Sequence, residues 1–198
     1  MGTRLTQQKR GKGGPAYSSP GHRFFGRVLY NIPPTPSMGQ VIDFIDDPGR
    51  TTLIAEVLLE NGTHTHILAP EGLSKNDLIE LRGSTLSVGN VIELKHLPEG
   101  TPVFNIEAKR NDGGTLVRSS GVVAYVVGKN EEANTVTLRL VSKDLKELSG
   151  NCLATIGIAA GGGRDEKPFK KAGSHYHAAK ARNKYYPHVR GTAMSAYD

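Results

Sequence analysis

Leu53-Ile54-Ala55-Glu56-Val57-Leu58-Leu59-Glu60-Asn61-Gly62-Thr63-His64-Thr65-His66-Ile67-Leu68-Ala69 decides the fold class of this chain. Two β-rich runs flank Asn61-Gly62. That dipeptide takes the positive φ angles of a tight hairpin turn with little strain, and it is the strongest short hairpin signal a sequence offers. Upstream, Gln40–Asp46 and Thr51–Leu59 read as strands joined by the turn Asp47-Pro48-Gly49. Downstream, Leu86–Leu94 reads as a further strand, ended at Leu97-Pro98-Glu99-Gly100. Val103–Ala108, Thr115–Arg118, Val122–Val127, Thr135–Val141 and Cys152–Ile158 follow at short intervals, separated by turn residues. The centre of the chain therefore reads as two small antiparallel barrels in series. Each holds roughly 60 residues, near the lower limit for independent stability, so they are expected to pack on each other or on a partner.

The flanks differ from this centre. Asn31-Ile32-Pro33-Pro34-Thr35-Pro36 is a stiff linker. Before it, glycine and proline interrupt a basic segment with neither helical nor alternating period. Such a segment buries too little apolar surface to offset its own ordering entropy. Tyr17, His22, Phe24 and Phe25 are interleaved with its cations, a mixture suited to phosphate pairing and base stacking; Phe24 and Phe25 also suit anchoring on the core. Past Ile158, three glycines at 161–163 let backbone approach a partner closely. Ser174 is placed to cap a short helix over His175–Lys184, ended by Pro187.

Charge follows the same division. Residues 1–30 carry six Lys/Arg and no acid, residues 31–163 carry 11 basic and 16 acidic residues, and residues 164–198 carry eight basic and three acidic. Two basic arms on a mildly acidic body point to a polyanion bound by the arms, with a pair of solvated, disordered tails as the alternative from charge alone. No apolar run is long enough to span a membrane, and the polar start lacks a signal-peptide stretch. Cys152 is the only cysteine in the sequence, which excludes an intrachain disulfide and a cysteine-based zinc site and fits a reducing cytosol.

Enzyme chemistry finds little support. His64 and His66 share one strand face, with Glu71 nearby, which resembles in part the first metal motif of cupin barrels. The glycine of that motif would fall at Leu58. If Pro98–Gly100 were the second motif, its ligand histidine would fall at Val103. The residues read instead as exposed histidines on a strand, and no metal or cofactor is expected. Cys152 lies in a buried-strand pattern with no activating base placed beside it. Gly161–Gly163 lacks the Lys-Ser or Lys-Thr of a phosphate-binding loop.

Several motifs, in order along nearly the whole chain, resemble one family. They are Leu68-Ala69-Pro70-Glu71-Gly72-Leu73, Gly113-Gly114-Thr115-Leu116-Val117-Arg118-Ser119-Ser120-Gly121, Cys152–Gly157, Gly161–Pro168 and Val189–Met194. Together they look like the universal large-subunit ribosomal protein two, and the stretch 161–173 is similar to its archaeal and eukaryotic branch. The resemblance implies an all-β fold, an OB-type barrel followed by an SH3-like barrel, with extended basic arms and a short C-terminal helix. The corresponding segments are 1–35 for the N-terminal extension, 36–96 and 97–160 for the barrels, and 161–198 for the C-terminal extension.

It also implies a non-enzymatic constituent of the cytoplasmic large ribosomal subunit that binds large-subunit ribosomal RNA. Such a protein contacts neighbouring ribosomal proteins, supports the peptidyl-transferase region and takes part in joining the subunits. Another nucleic-acid-binding translation module on OB or SH3-like barrels is the alternative. The residues expected at RNA are Arg4, Lys9, Arg10, Lys12, His22, Arg23 and Arg27 in the first arm. Arg118, matched to a family arginine implicated in RNA binding, is expected in the body. Arg164, Lys167, Lys170, Lys171, His175, Lys180, Arg182, Lys184 and Arg190 complete the set. Where the family carries a basic residue in the strand before Leu68-Ala69-Pro70, this chain has Thr63-His64-Thr65-His66. The resemblance further implies a His-Pro, glycine-rich continuation past Asp198, so no residue here is assigned a part in peptide-bond formation.

Overall fold

A computed structural model describes residues 11–14, 17–19 and 21–188. They form two compact units. One is the body, Arg27–Asp165; the other joins the described residues up to Gly26 with those from Glu166 onward.

The body is all-β, of the OB and SH3-like barrel type. Its strands are β1 (Ser37–Ile45), β2 (Ile54–Leu59), β3 (His64–Leu68), β4 (Leu78–Leu81), β5 (Val91–Glu93), β6 (Pro102–Phe104), β7 (Ala124–Asn130), β8 (Thr135–Arg139), β9 (Leu145–Ser149) and β10 (Leu153–Ile156). They pair in the order β3-β2-β1-β4-β5-β10-β6-β7-β8-β9. All these pairings are antiparallel except β4–β5.

The Asn61-Gly62 hairpin forms as expected. Leu58 pairs with His64, Val57 with Thr65 and Glu56 with His66. Gly62 takes φ +77°, and the Asn61 side chain accepts the Thr63 amide at 3.0 Å, closing the turn.

Two apolar clusters fill the body. Val41, Val57, Ile67, Ile79, Leu81 and Val91 lie in the first. Leu97, Val103, Ala124, Val126, Val136 and Leu138 lie in the second. β10 serves both, because Leu153 joins the first cluster while Ala154 and Ile156, with Cys152 just before the strand, join the second. Alternate side chains of one strand point to opposite faces, so a strand buried on both faces reads as a continuous apolar run. β10 lies between β5 and β6 and ties the halves together, where the sequence reading had two barrels simply in series. A third cluster, with Val28, Ile54, Leu68, Phe104 and Ala159, draws residues from both halves.

Four expectations need correction. Leu86–Leu94 shortens to Val91–Glu93, and Leu86 and Val88 are exposed. Thr115–Arg118 is not a strand: Leu116 makes one isolated bridge to Ile106, and Val117 takes φ +54°. That angle is costly for a β-branched residue and persists only where the surroundings impose it. β4 and β9 were not anticipated. In the second unit the helix, α1, is Ala172–Ala181; Ser174 lies inside it, and its N-cap is Lys171 without a side-chain capping bond.

Candidate nucleic-acid interface

The ending of α1 begins to explain the second unit. Asn183 takes φ +52° and its amide donates to the Lys180 carbonyl at 3.0 Å. The Lys184 amide donates to the Ala179 carbonyl at 2.8 Å. This pair of bonds is a Schellman ending, satisfying carbonyls that the last turn leaves free. Asparagine tolerates the left-handed conformation better than most residues. The helix thus ends at Ala181, with Asn183 turning the chain, ahead of the Pro187 expected to stop it.

From that ending the chain folds back on itself. The His175 ring is stacked on Phe169, with centroids 4.8 Å apart and planes 4° apart. Its centroid is also 4.0 Å from that of Tyr186. Tyr185 lies edge-on to His188 at 5.4 Å, and Tyr17 of the other arm is 6.4 Å from Tyr185. The Asn183 side-chain amide donates to the Ser18 carbonyl. The sequence reading treats the arms as separate segments unable to pack alone. Paired with each other, the described parts share one aromatic contact, Tyr17 with Tyr185, and a hydrogen bond that neither has by itself.

The charge is sharper by structural unit than by sequence position. Residues 1–26 and 166–198 carry 12 Lys/Arg against two Asp/Glu, whereas residues 27–165 carry 13 against 17. Lys12, His22, Arg23, Lys167, Lys170, Lys171, His175, Lys180 and Lys184 are exposed, and Arg182 is half-buried at the α1 C-cap. Lys180 in the last helical turn also complements the negative end of the helix dipole. Exposed cations beside aromatic rings on irregular backbone can pair phosphates and stack bases. Arg4, Lys9, Arg10 and Arg190 lie outside the described residues, as does the Val189–Met194 motif.

Three expected contacts fall in the body. Arg27 is exposed at its start. Arg164 is exposed and engaged within the chain, its Nε donating to Ser120 Oγ at 3.3 Å and its Nη2 2.9 Å from an Asp165 carboxylate oxygen. Arg118 is half-buried. Its Nη1 donates to the Gly114 carbonyl at 2.7 Å and its Nη2 to the Val28 carbonyl at 2.6 Å. Burial and the neighbouring Arg50 lower its pKa from the ordinary arginine value. Two of its five N–H groups therefore hold backbone of its own chain.

The loop carrying Arg118 is organised by two carboxylates to which the sequence reading gave no role. Glu107 is 1% exposed and accepts the amides of Leu153 at 2.9 Å, Gly113 at 3.2 Å and Asn111 at 3.3 Å. Asp112 accepts the amides of Ala108, Lys109 and Gly114 and the Thr115 hydroxyl. Burial alone would raise the Asp112 pKa, but these bonds favour its ionised form and hold it below the usual carboxylate range. Gly113 and Gly114 both take positive φ. A side chain at Gly113 would collide with Leu29 and one at Gly114 with Asn105, so the Gly-Gly motif is the only pair that fits. Across this loop, the Tyr30 hydroxyl donates to the Asn105 carbonyl at 2.6 Å and lies 2.6 Å from Thr155 Oγ1. Burial raises the Tyr30 pKa above its ordinary value.

His64 and His66 lie on β3. His64 Nδ1 lies 2.8 Å from Glu56 Oε1 on an exposed strand face. Among the described residues no group of three or more His, Cys, Asp or Glu is placed to hold a metal ion. Cys152 is fully buried, and burial pushes its thiol pKa up, as for a core residue. No described helix is long and apolar enough to cross a membrane.

Comparison with known proteins agrees with the fold and the motifs. Residues 87–198 match the family model described as Ribosomal Proteins L2, C-terminal domain. Large ribosomal subunit protein uL2 of Methanothermobacter thermautotrophicus is 46% identical over 100% of this chain and 84% of its own length. The uL2 proteins of Methanococcus aeolicus and Pyrobaculum arsenaticum are 46% and 43% identical, again over 100% of this chain, covering 84% and 81% of their own lengths. With motifs in register from end to end and an all-β body of the matching type, this chain belongs to the uL2 family of large ribosomal subunit proteins.

Proposed function

We propose that this chain is a structural constituent of the cytoplasmic large ribosomal subunit, fixed to large-subunit ribosomal RNA mainly by its paired arms. The observation that carries the placement is the charge separation: 12 cations against two acids in the arm unit, 13 against 17 in the body. A body of net negative charge is repelled by a phosphate backbone, while the arm unit is drawn to it. The arm residues expected at RNA, Lys12, His22, Arg23, Lys167, Lys170, Lys171, His175, Lys180, Arg182 and Lys184, are the contacts on this reading, with Arg4, Lys9, Arg10 and Arg190 continuing the same basic segments.

Arg118 holds the start of the body in place through the Val28 carbonyl. On this reading barrels over 36–96 and 97–160 are flanked in sequence by extensions 1–35 and 161–198. Neighbouring ribosomal proteins are further partners, and the protein supports the peptidyl-transferase region and subunit association by position rather than by chemistry. The test is sedimentation of tagged protein from cell lysate at high salt. Co-migration with large-subunit particles is expected; migration as free protein would overturn this reading.

A further inference from the structure

A groove of about 500 Å³ opens on the outer face of the second half of the body, lined in part by Val122, Val123, Tyr125, Arg139, Val141 and Lys143. Tyr125 on β7 and Arg139 on β8 are directly opposed across the antiparallel pair. The guanidinium carbon of Arg139 lies 5.5 Å from the centre of the Tyr125 ring. Tyr125 remains 37% exposed and Val141 58% exposed, so ring and apolar floor face solvent. Lys143, at φ +72° in the turn between β8 and β9, stands at the rim.

The charge of this groove runs against its surroundings. Its only ionised lining residues are Arg139 and Lys143, although residues 27–165 carry 17 acids against 13 cations. A second groove, of about 300 Å³, contains Glu80 and Glu93 beside Arg82 and is lined by His96 but by no tyrosine or phenylalanine. An aromatic ring with a guanidinium over one face, an apolar floor and a second cation at the rim suit a flat heterocycle carrying a phosphate. A peptide would be served equally well by carboxylates at the rim, and none lines the groove.

We propose that the Tyr125–Arg139 groove is a second RNA site, taking one unpaired base of ribosomal RNA stacked on Tyr125, with its phosphate at Lys143. The proposal rests on the reading of the chain as an RNA-bound ribosomal protein, and differs from it in mechanism. The arms bind by charge; this site binds by stacking.

The experiment titrates full-length protein with a large-subunit ribosomal RNA transcript across a salt series. Tyr125→Leu keeps the apolar bulk but removes the ring, and should weaken binding roughly 5- to 150-fold, the range for loss of one base stack. Its salt slope should match the parent, since tyrosine neutralises no phosphate. Tyr125→Phe should bind like the parent, and both variants should melt cooperatively. Lys143→Ala should make the slope shallower by about one phosphate contact. Parent-like affinity in Tyr125→Leu, while replacement of Lys180, Arg182 and Lys184 by alanine still flattens the slope, would overturn the groove site and leave the arm reading standing. Parent-like RNA affinity together with failure of Tyr125→Leu to enter large subunits would also overturn it, in favour of a protein partner. A parent protein that does not bind the transcript would overturn both readings.

Discussion

The Arg118 guanidinium donates to the Val28 carbonyl at 2.6 Å, joining residues 90 apart in sequence. A second N–H of the same group holds the Gly114 carbonyl at 2.7 Å. Val28 is 2% exposed and belongs to the cluster shared by the two halves of the body. A side chain first expected only at RNA is thus a brace between the N-terminal entry and the Gly113-Gly114 loop.

Replacing Arg118 by alanine should lower stability by about 2 kcal/mol, the scale for hydrogen bonds made by a charged group. Arg118→Lys should recover only part of this, since an ammonium lacks the planar fork that reaches both carbonyls. Chemical denaturation of the full chain measures it. Unchanged stability with lost RNA affinity would mean that the guanidinium serves RNA alone.

Asp112 gives a pH dependence with a definite sign. Its folded-state pKa is lowered, so the native state holds its carboxylate ionised where the unfolded chain begins to protonate, near pH 3.9. Its contribution to stability is present above that pH and is lost as pH falls through the folded-state value. Asp112→Asn should lower the melting temperature at pH 7 and reduce the fall in melting temperature between about pH 5 and pH 3. Parallel melting curves for the two proteins across that range would refute the role given to its hydrogen bonds.

These two residues also show where sequence reading succeeds and stops. The Asn61-Gly62 hairpin was legible because turn chemistry and alternation agree over neighbouring residues, and β10 because a run of small and apolar residues, broken only by Thr155, marks a strand covered on both faces. β9 was missed: Leu145-Lys146-Glu147-Leu148-Ser149 has no β-branched residue, and it becomes a strand by pairing with β8 from Thr135 to Arg139. Glu107 was missed for a related reason. A single carboxylate between Ile106 and Ala108 gives no sign that it will accept three amides, one of them 46 residues away. The basic composition of the arms was plain in the sequence. Their pairing through Ser18 and Asn183 was not, because one side-chain bond to a backbone carbonyl leaves no periodic trace.

His64 and Glu56 form an exposed cross-strand contact at 2.8 Å rather than part of a metal shell. Chelator should leave the melting temperature of the purified protein unchanged, and zinc or iron should be far below one equivalent by elemental analysis. His64→Ala should change stability by less than about 0.5 kcal/mol, as for other exposed positions. A near-stoichiometric metal lost in that variant would restore the enzyme reading.

The most direct test of arm-led binding compares the full chain with the body, residues 27–165, against large-subunit ribosomal RNA over a salt series. This body retains Val28 and Tyr30, both packed into its core clusters. If roughly half of the arm cations reach phosphate, the full chain should show a slope of roughly −4 to −5 in log affinity against log salt, at about −0.7 to −0.9 per contact. The body should melt cooperatively, bind weakly and give a much shallower slope. Equal affinity and equal slope for the two proteins would place the RNA interface on the barrels and contradict arm-led binding.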